Sequence, residues 1–179
     1  MQKNTDAAGM RPLAIGLMIL AGLIRVTQHV NFAPVGALSL FAGARMRGWQ
    51  AYFLPLALMA VTDPFVGGYS VATPLIYASF LINVWIGTRL RTSESPLWIG
   101  SAAVAGSVQF FLLTNFAWLG GSTMYPHTLG GILSCYAAGI PFFGRTLASD
   151  LFFSGVLFGL HSLLSRTVVR SERVVAQAA

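Results

Sequence analysis

Polar side chains that could contact a small molecule are concentrated in short stretches between long apolar runs. The stretch RVTQHVNFAP, residues 25–34, contains an arginine, a glutamine, a histidine and an asparagine, and two acids, Asp63 and Asp150, lie beside apolar runs. Ionisable groups at membrane level are candidate functional groups, because removing a charge from water is costly. The candidate ligand-binding set is His29, Asn31, Asp63, Asn115, Tyr125, Arg145 and Asp150.

Catalytic and metal chemistry have little support in the sequence. His29, His127 and Cys135 lack the i, i+3 or i, i+4 spacing that is typical of metal ligands on one helix. A single cysteine excludes an internal disulfide. The motif GLHS at 159–162 lacks the strand–turn–helix context of a serine nucleophile. We therefore predict no enzyme activity, no metal site and no cofactor.

The composition indicates the class of protein that carries this site. Hydrophobic residues make up 55% of the 179 residues and charged residues only 9%, whereas a soluble domain has about 25% charged residues. The net charge of +6 comes without a basic patch interleaved with aromatics, so nucleic acid is not an expected partner. We predict an integral protein of the inner or plasma membrane, with the lipid bilayer as a partner.

Apolar runs between charged or Gly/Pro-rich breaks predict an all-α, six-transmembrane-helix bundle. The fourteen residues 129–142 contain Pro141 and three glycines and are shorter than the ~20 that a span needs, which predicts a short interfacial or re-entrant helix before the last span. Small-xxx-small pairs such as Ser39/Gly43 and Gly155/Gly159 predict close packing within the bundle. The predicted spans are 12–26, 34–44, 49–62, 73–90, 97–119 and 146–165. They form a transmembrane domain over residues 11–166, and residues 1–10 and 167–179 are predicted to be cytoplasmic tails.

The distribution of basic residues predicts the orientation of these spans. With a cytoplasmic N-terminus, the outer segments contain only Arg25 and Arg145. This asymmetry favours an arrangement with both termini inside. The remaining nine basic residues fall on the inner side: Lys3, Arg11, Arg45, Arg47, Arg89, Arg91, Arg166, Arg170 and Arg173.

The same topology brings the candidate residues to the outer face, but each also has a purely structural interpretation. Arg25 could extend toward lipid headgroups, Asp63 could serve as a turn residue before Pro64, and Asp150 could pair with Arg145 nearby. Tyr125 fits an aromatic belt. Asn83 and Gln109, deeper in the bundle, could line the floor of a cavity, although hydrogen bonding between helices is the favoured interpretation.

Two longer stretches resemble known families. The run VNFAPVGALSLFAGARMRG…LALMAVTDPFVGGYS resembles the second and third helices of the substrate-binding components of energy-coupling-factor vitamin transporters. The run FLLTNFAWLGGSTMYPHTLGGILSCYAAGIPFFGRTLASDLFFSGVLFG resembles a large bacterial family of small membrane proteins related to those components. Together they cover about two-thirds of the chain.

The resemblance implies a six-helix bundle with a ligand pocket near its outer face and the first loop as a lid. On matching positions, Asn31, Pro34 and Asp63 would form that end of the bundle. Such components usually carry a small-xxx-small pair on the first helix, whereas here Met18 follows Ala14, so docking on an energising module is an open question. Two hypotheses follow: a small-molecule (vitamin or nutrient-like) binding or transport component, or a non-catalytic scaffold or accessory subunit of a larger membrane complex.

Overall fold

The computed structural model describes residues 3–27, 32–116 and 124–178, with side chains between residues 12 and 167. Within these ranges the chain is helical and contains no strand. The predictions for His29 and Asn31, for the first loop as a lid, and for residues 117–119 of the fifth span fall outside the described residues. The helices are α1 (Lys3–Thr27), α2 (Val35–Arg45), α3 (Gln50–Val66), α4 (Thr73–Thr88), α5 (Pro96–Phe116) and α6 (Leu129–Ala178).

The short helix α2 forms the centre of the bundle. Every residue from Val35 to Ala44 is buried, and α2 contacts each of the other five helices. A helix that is apolar on all sides has no polar face to expose to water, so it is stable when other helices enclose it. Its eleven residues rise about 16 Å, roughly half the thickness of a bilayer's hydrocarbon core.

Glycines set the close approach of α2 and α4. A Cβ on Gly43 would lie 2.0 Å from the Val84 carbonyl oxygen, and a Cβ on Gly87 would lie 2.1 Å from that of Leu40. The predicted packing role of the Ser39/Gly43 pair is therefore confirmed. The Gly155/Gly159 pair makes no such close contact within the described structure, since nothing there lies within 4 Å of a Cβ built at either position.

The predicted separation of 129–142 from the last span is wrong: α6 is one continuous helix from Leu129 to Ala178. Pro141 removes only one N–H from the helix ladder, and packing against α5 compensates for the glycines. Phe111 of α5 contacts Tyr136 and Phe143 on either side of this proline, with ring centroids 5.6 and 5.1 Å away. The backbone is helical from Lys3 and up to Ala178, so α1 and α6 extend into the predicted cytoplasmic tails 1–10 and 167–179.

Among the described residues, two helical segments are suited by length and composition to cross a membrane, Pro96–Phe116 and Leu129–Thr167. The other apolar helical segments are shorter, at 10–17 residues: Pro12–Thr27, Val35–Arg45, Gln50–Val66 and Thr73–Thr88. The observed bounds of α2 to α4 agree with the predicted spans to within a few residues. The all-helical class and the six helices are thus as the sequence predicts, and two of the six predicted spans meet the length that a crossing requires.

Candidate functional site

A cavity of about 260 Å³ lies at one end of the bundle. The C-terminal ends of α1 and α3 and the N-terminal ends of α2 and α4 surround it, together with parts of α5 and α6. Three charged side chains line it, Arg25, Asp63 and Asp150. The two acids that the sequence places 87 positions apart therefore share one cavity.

Asp63 is the centre of a polar cluster that joins three helices. Its Oδ1 accepts a hydrogen bond from Nη2 of Arg25 at 2.5 Å, which is also an ion pair, and its Oδ2 accepts the hydroxyl of Tyr77 at 2.5 Å. Arg25 donates further to the hydroxyl oxygen of Thr62 and to the carbonyl oxygen of Met59. The side chains of Arg25 and Asp63 are only 13% and 9% exposed, so α1, α3 and α4 are connected through a largely buried charge pair.

The local sequence of α3 explains how Asp63 comes to the rim of the cavity. Pro64 has no N–H for the Ala60 carbonyl, and the Tyr69 hydroxyl donates to that oxygen instead, at 2.7 Å. Gly67 and Gly68 have φ of 153° and 78°, values that glycine adopts readily. Their N–H groups both donate to the Asp63 carbonyl, at 3.2 and 2.7 Å, and end the helix beside the cavity.

Asp150 reaches the same cavity from the middle of α6. Its Oδ2 accepts the Ser107 hydroxyl at 2.6 Å. Its Oδ1 packs directly against Gly36, so closely that a Cβ on this glycine would lie only 2.3 Å from the oxygen. Gly36 is in the first turn of α2. The first residues of a helix have unpaired N–H groups and a partial positive charge, and Pro34 gives α2 no side-chain cap. Asp150 therefore places a negative charge at the N-terminus of α2.

The rest of the wall is apolar and aromatic, with a few hydroxyl groups. Val35, Met59 and Phe80 form a buried cluster there, and the rings of Phe80 and Phe110 have centroids 5.2 Å apart. The hydroxyl-bearing side chains that line the cavity are Ser70, Thr73, Tyr77 and Thr146. An apolar wall with a few fixed polar groups is typical of a small-molecule site.

The structure brings together only part of the predicted site. Asp63 and Asp150 line the cavity, whereas Asn115, Tyr125 and Arg145 do not. Asn115 instead donates to the Phe111 carbonyl at 2.8 Å, and its amide faces Gly139 of α6. Arg145 is exposed, and the ion pairs of the described residues are Arg25–Asp63 and Arg45–Glu94. The ion pair between Asp150 and Arg145, which the sequence allowed as a structural interpretation of Asp150, is not among these two.

Several cavity residues were missing from the predicted set. Thr73, Ile76, Tyr77 and Phe80 of α4 all line the cavity, and their spacing of i, i+3, i+4 and i+7 places them on one face of a helix. Hydroxyl groups at the cavity end of that face, on Thr73 and Tyr77, were the available signal. Ser107, which donates to Asp150, gave no signal in the sequence, because an isolated serine in an apolar helix is common.

The deeper polar residues Asn83 and Gln109 join two helices, as the favoured interpretation predicts. Gln109 Nε2 donates to Asn83 Oδ1 at 2.8 Å and to the Ser79 carbonyl at 2.9 Å. This bridge connects α5 to α4 below the cavity, and neither side chain lines the cavity.

These observations define a class of protein: an all-helical bundle with a partly charged cavity at one end and two helices suited to crossing a membrane. A family of unknown function, DUF6580, matches residues 7–174 of the chain. The chain belongs to that family. Neither a curated protein nor a solved structure matches the chain.

Proposed function

We propose that this protein is a membrane-embedded component that binds a small molecule, vitamin or nutrient-like in size, for transport. The cavity carries the proposal, because both acids, Arg25 and Tyr77 border a space of about 260 Å³ with an apolar wall. Ligand pockets usually have a volume of ~300–1,000 Å³, so the ligand is small.

The membrane placement in this proposal is six crossings of an inner or plasma membrane with both termini inside. The basic residues at the opposite end of the bundle, such as Arg45, Arg47, Arg89 and Arg91, support this orientation. The cavity then opens toward the outer face, as the resemblance to substrate-binding components implies. An energising module or a larger membrane complex is the candidate partner, and the protein itself carries out no catalysis.

The test is a thermal-shift screen of the purified protein, in detergent, against vitamins, their precursors and other small nutrients. We expect at least one compound to raise the unfolding midpoint and to lose its effect when the cavity is filled. Thr73→Trp introduces a large ring at the cavity wall, and Thr88→Trp is a matched control at the other end of the same helix. An absence of shifts across a broad panel contradicts the proposal and favours a scaffold subunit.

A further inference from the structure

The charges around the cavity do not balance. Within the described residues the wall carries one cationic side chain, Arg25, and two acidic ones, Asp63 and Asp150. Arg25 forms its ion pair with Asp63 and donates also to Thr62 and Met59. The positive charge of the guanidinium is therefore already paired with Asp63, so it does not offset the second carboxylate, that of Asp150.

Asp150 is the acid that gives the cavity its excess negative charge. Asp150 is 4% exposed. The side chain that donates a hydrogen bond to it is that of Ser107, a neutral hydroxyl and not a cation. The N-terminus of α2 compensates part of the charge, equivalent to about half an elementary charge. A carboxylate has about four acceptor positions, so Asp150 can still accept a hydrogen bond from a molecule in the cavity.

The aromatic side chains of the wall act in the same electrostatic direction. Tyr77, Phe80 and Phe110 line the cavity together with Asp150. The faces of aromatic rings carry partial negative charge and attract cations, by ~0.5–2 kcal/mol for each well-placed contact. Carboxylates and aromatic faces in one small apolar space are a combination that stabilises an ammonium group.

We propose that the ligand of this cavity is a small organic cation, an amine or quaternary ammonium compound with a compact apolar body. The cationic group contacts the Asp150 carboxylate and the face of the Phe110 ring, and the apolar body packs on Phe80 and Met59. This inference rests on the proposed binding function and specifies its ligand class. An anionic ligand is disfavoured, since it would lie beside the Asp150 carboxylate, whose charge is only partly compensated, in a low-dielectric site.

The experiment uses the full-length protein and a charge-balanced panel. Each apolar body is supplied as a trimethylammonium compound, as its uncharged tert-butyl isostere and as the corresponding carboxylate. Thermal shift gives a first ranking, and titration calorimetry then gives the affinities of the compounds that bind. We expect the cation to bind at least tenfold more tightly than its uncharged isostere, and the carboxylate to bind most weakly.

Two variants assign the preference to this cavity. Asp150→Asn should remove most of the preference for the cation over the uncharged isostere. Because Asp150 also borders the N-terminus of α2, Phe110→Leu provides a test that does not depend on it: it keeps an apolar side chain, removes an aromatic face and should lower cation affinity several-fold. Phe111→Leu is the matched control, since Phe111 packs against Tyr136 and Phe143 and does not line the cavity.

The outcomes separate this inference from the proposed function. Binding of uncharged or anionic compounds as tightly as the matched cations would overturn the ligand class and leave the binding function standing. If Phe110→Leu and Phe111→Leu lower cation affinity equally, the loss does not come from the aromatic face in the cavity, and the assigned ligand class is overturned. If no compound of any charge binds, both proposals are wrong.

Discussion

At the scale of single residues, the strongest feature is the buried pair of Arg25 and Asp63. Asp63→Asn keeps the size of the side chain but leaves the guanidinium without a counterion in a site that is almost closed to solvent. Breaking a buried ion pair in this way typically costs ~3–5 kcal/mol. We expect a large fall in the free energy of unfolding, measured by chemical or detergent denaturation of the purified protein.

Two further variants show whether the charge is the cause. Tyr77→Phe removes a single hydrogen bond to the same carboxylate and should cost ~1.5–3 kcal/mol, less than the loss of the charge pair. The double variant Arg25→Met with Asp63→Asn removes the uncompensated charge and should be more stable than Asp63→Asn alone. If the double variant is the less stable of the two, the pair does not act as described.

At the scale of elements, α2 depends on side chains that lie far away in the sequence. Asp150 of α6 lies at its N-terminus, and Arg91 donates to the carbonyl oxygens of Gly43 and Met46 at its C-terminus. An anion at the N-terminus and a cation at the C-terminus both oppose the helix dipole. Groups from other parts of the protein thus satisfy both ends of a helix that is too short to span a bilayer.

Gly36→Ala tests the N-terminal contact. The new Cβ would lie 2.3 Å from Oδ1 of Asp150, so the carboxylate has to move away from α2 or the helices have to separate. Overpacking of this kind costs ~1–3 kcal/mol, and we expect a lower unfolding midpoint. Gly155→Ala of α6 is the control, because nothing lies within 4 Å of its Cβ and alanine is the better helix former. Equal midpoints for the two variants would argue against the contact.

The continuity of α6 is a second prediction at this scale. Leu133 and Leu163 are both exposed and lie 30 positions apart, so an unbroken helix separates their Cα atoms by about 45 Å. Spin labels at these positions, in a Cys135→Ala background, measure the distance by pulsed electron paramagnetic resonance. A clearly shorter distance would show that the helix breaks near Pro141, as the sequence pattern suggested.

The sequence predicted which segments are helical better than it predicted what their ends contact. Apolar runs and charged breaks located α2 to α5, because helices enclosed in a bundle consist of nearly uninterrupted apolar stretches. Pro141 and its neighbouring glycines suggested a break, since packing against Phe111 lies outside any local pattern. The contacts of Asp63 with Tyr77 and of Asp150 with Gly36 connect residues on different helices, so only the topology, and not the spacing, could suggest them.

At the scale of the whole molecule, the direction of each helix determines which end faces which side of a membrane. The cavity groups meet where α1 and α3 end and where α2 and α4 begin, and Arg45, Glu94 and Ser162 meet at the opposite end. Charged groups thus occupy both ends of the bundle, while its sides expose Trp85, Leu112 and Phe152. Apolar sides between two polar ends suit a protein that stands across a bilayer.

The orientation can be tested with one cysteine at a time in a Cys135→Ala background. The three variants are Trp49→Cys, Ser70→Cys and Thr92→Cys. Their positions are exposed and lie between α2 and α3, between α3 and α4, and between α4 and α5. If α3 and α4 both cross, an impermeant thiol reagent added to intact cells should label only position 70, and positions 49 and 92 should react only after the cells are opened. These helices have 17 and 16 residues and rise about 25 Å, so crossing requires local thinning or residues beyond their ends. Labelling of positions 49 and 70 from the same side would show that α3 does not cross, and the six-span arrangement would then be wrong.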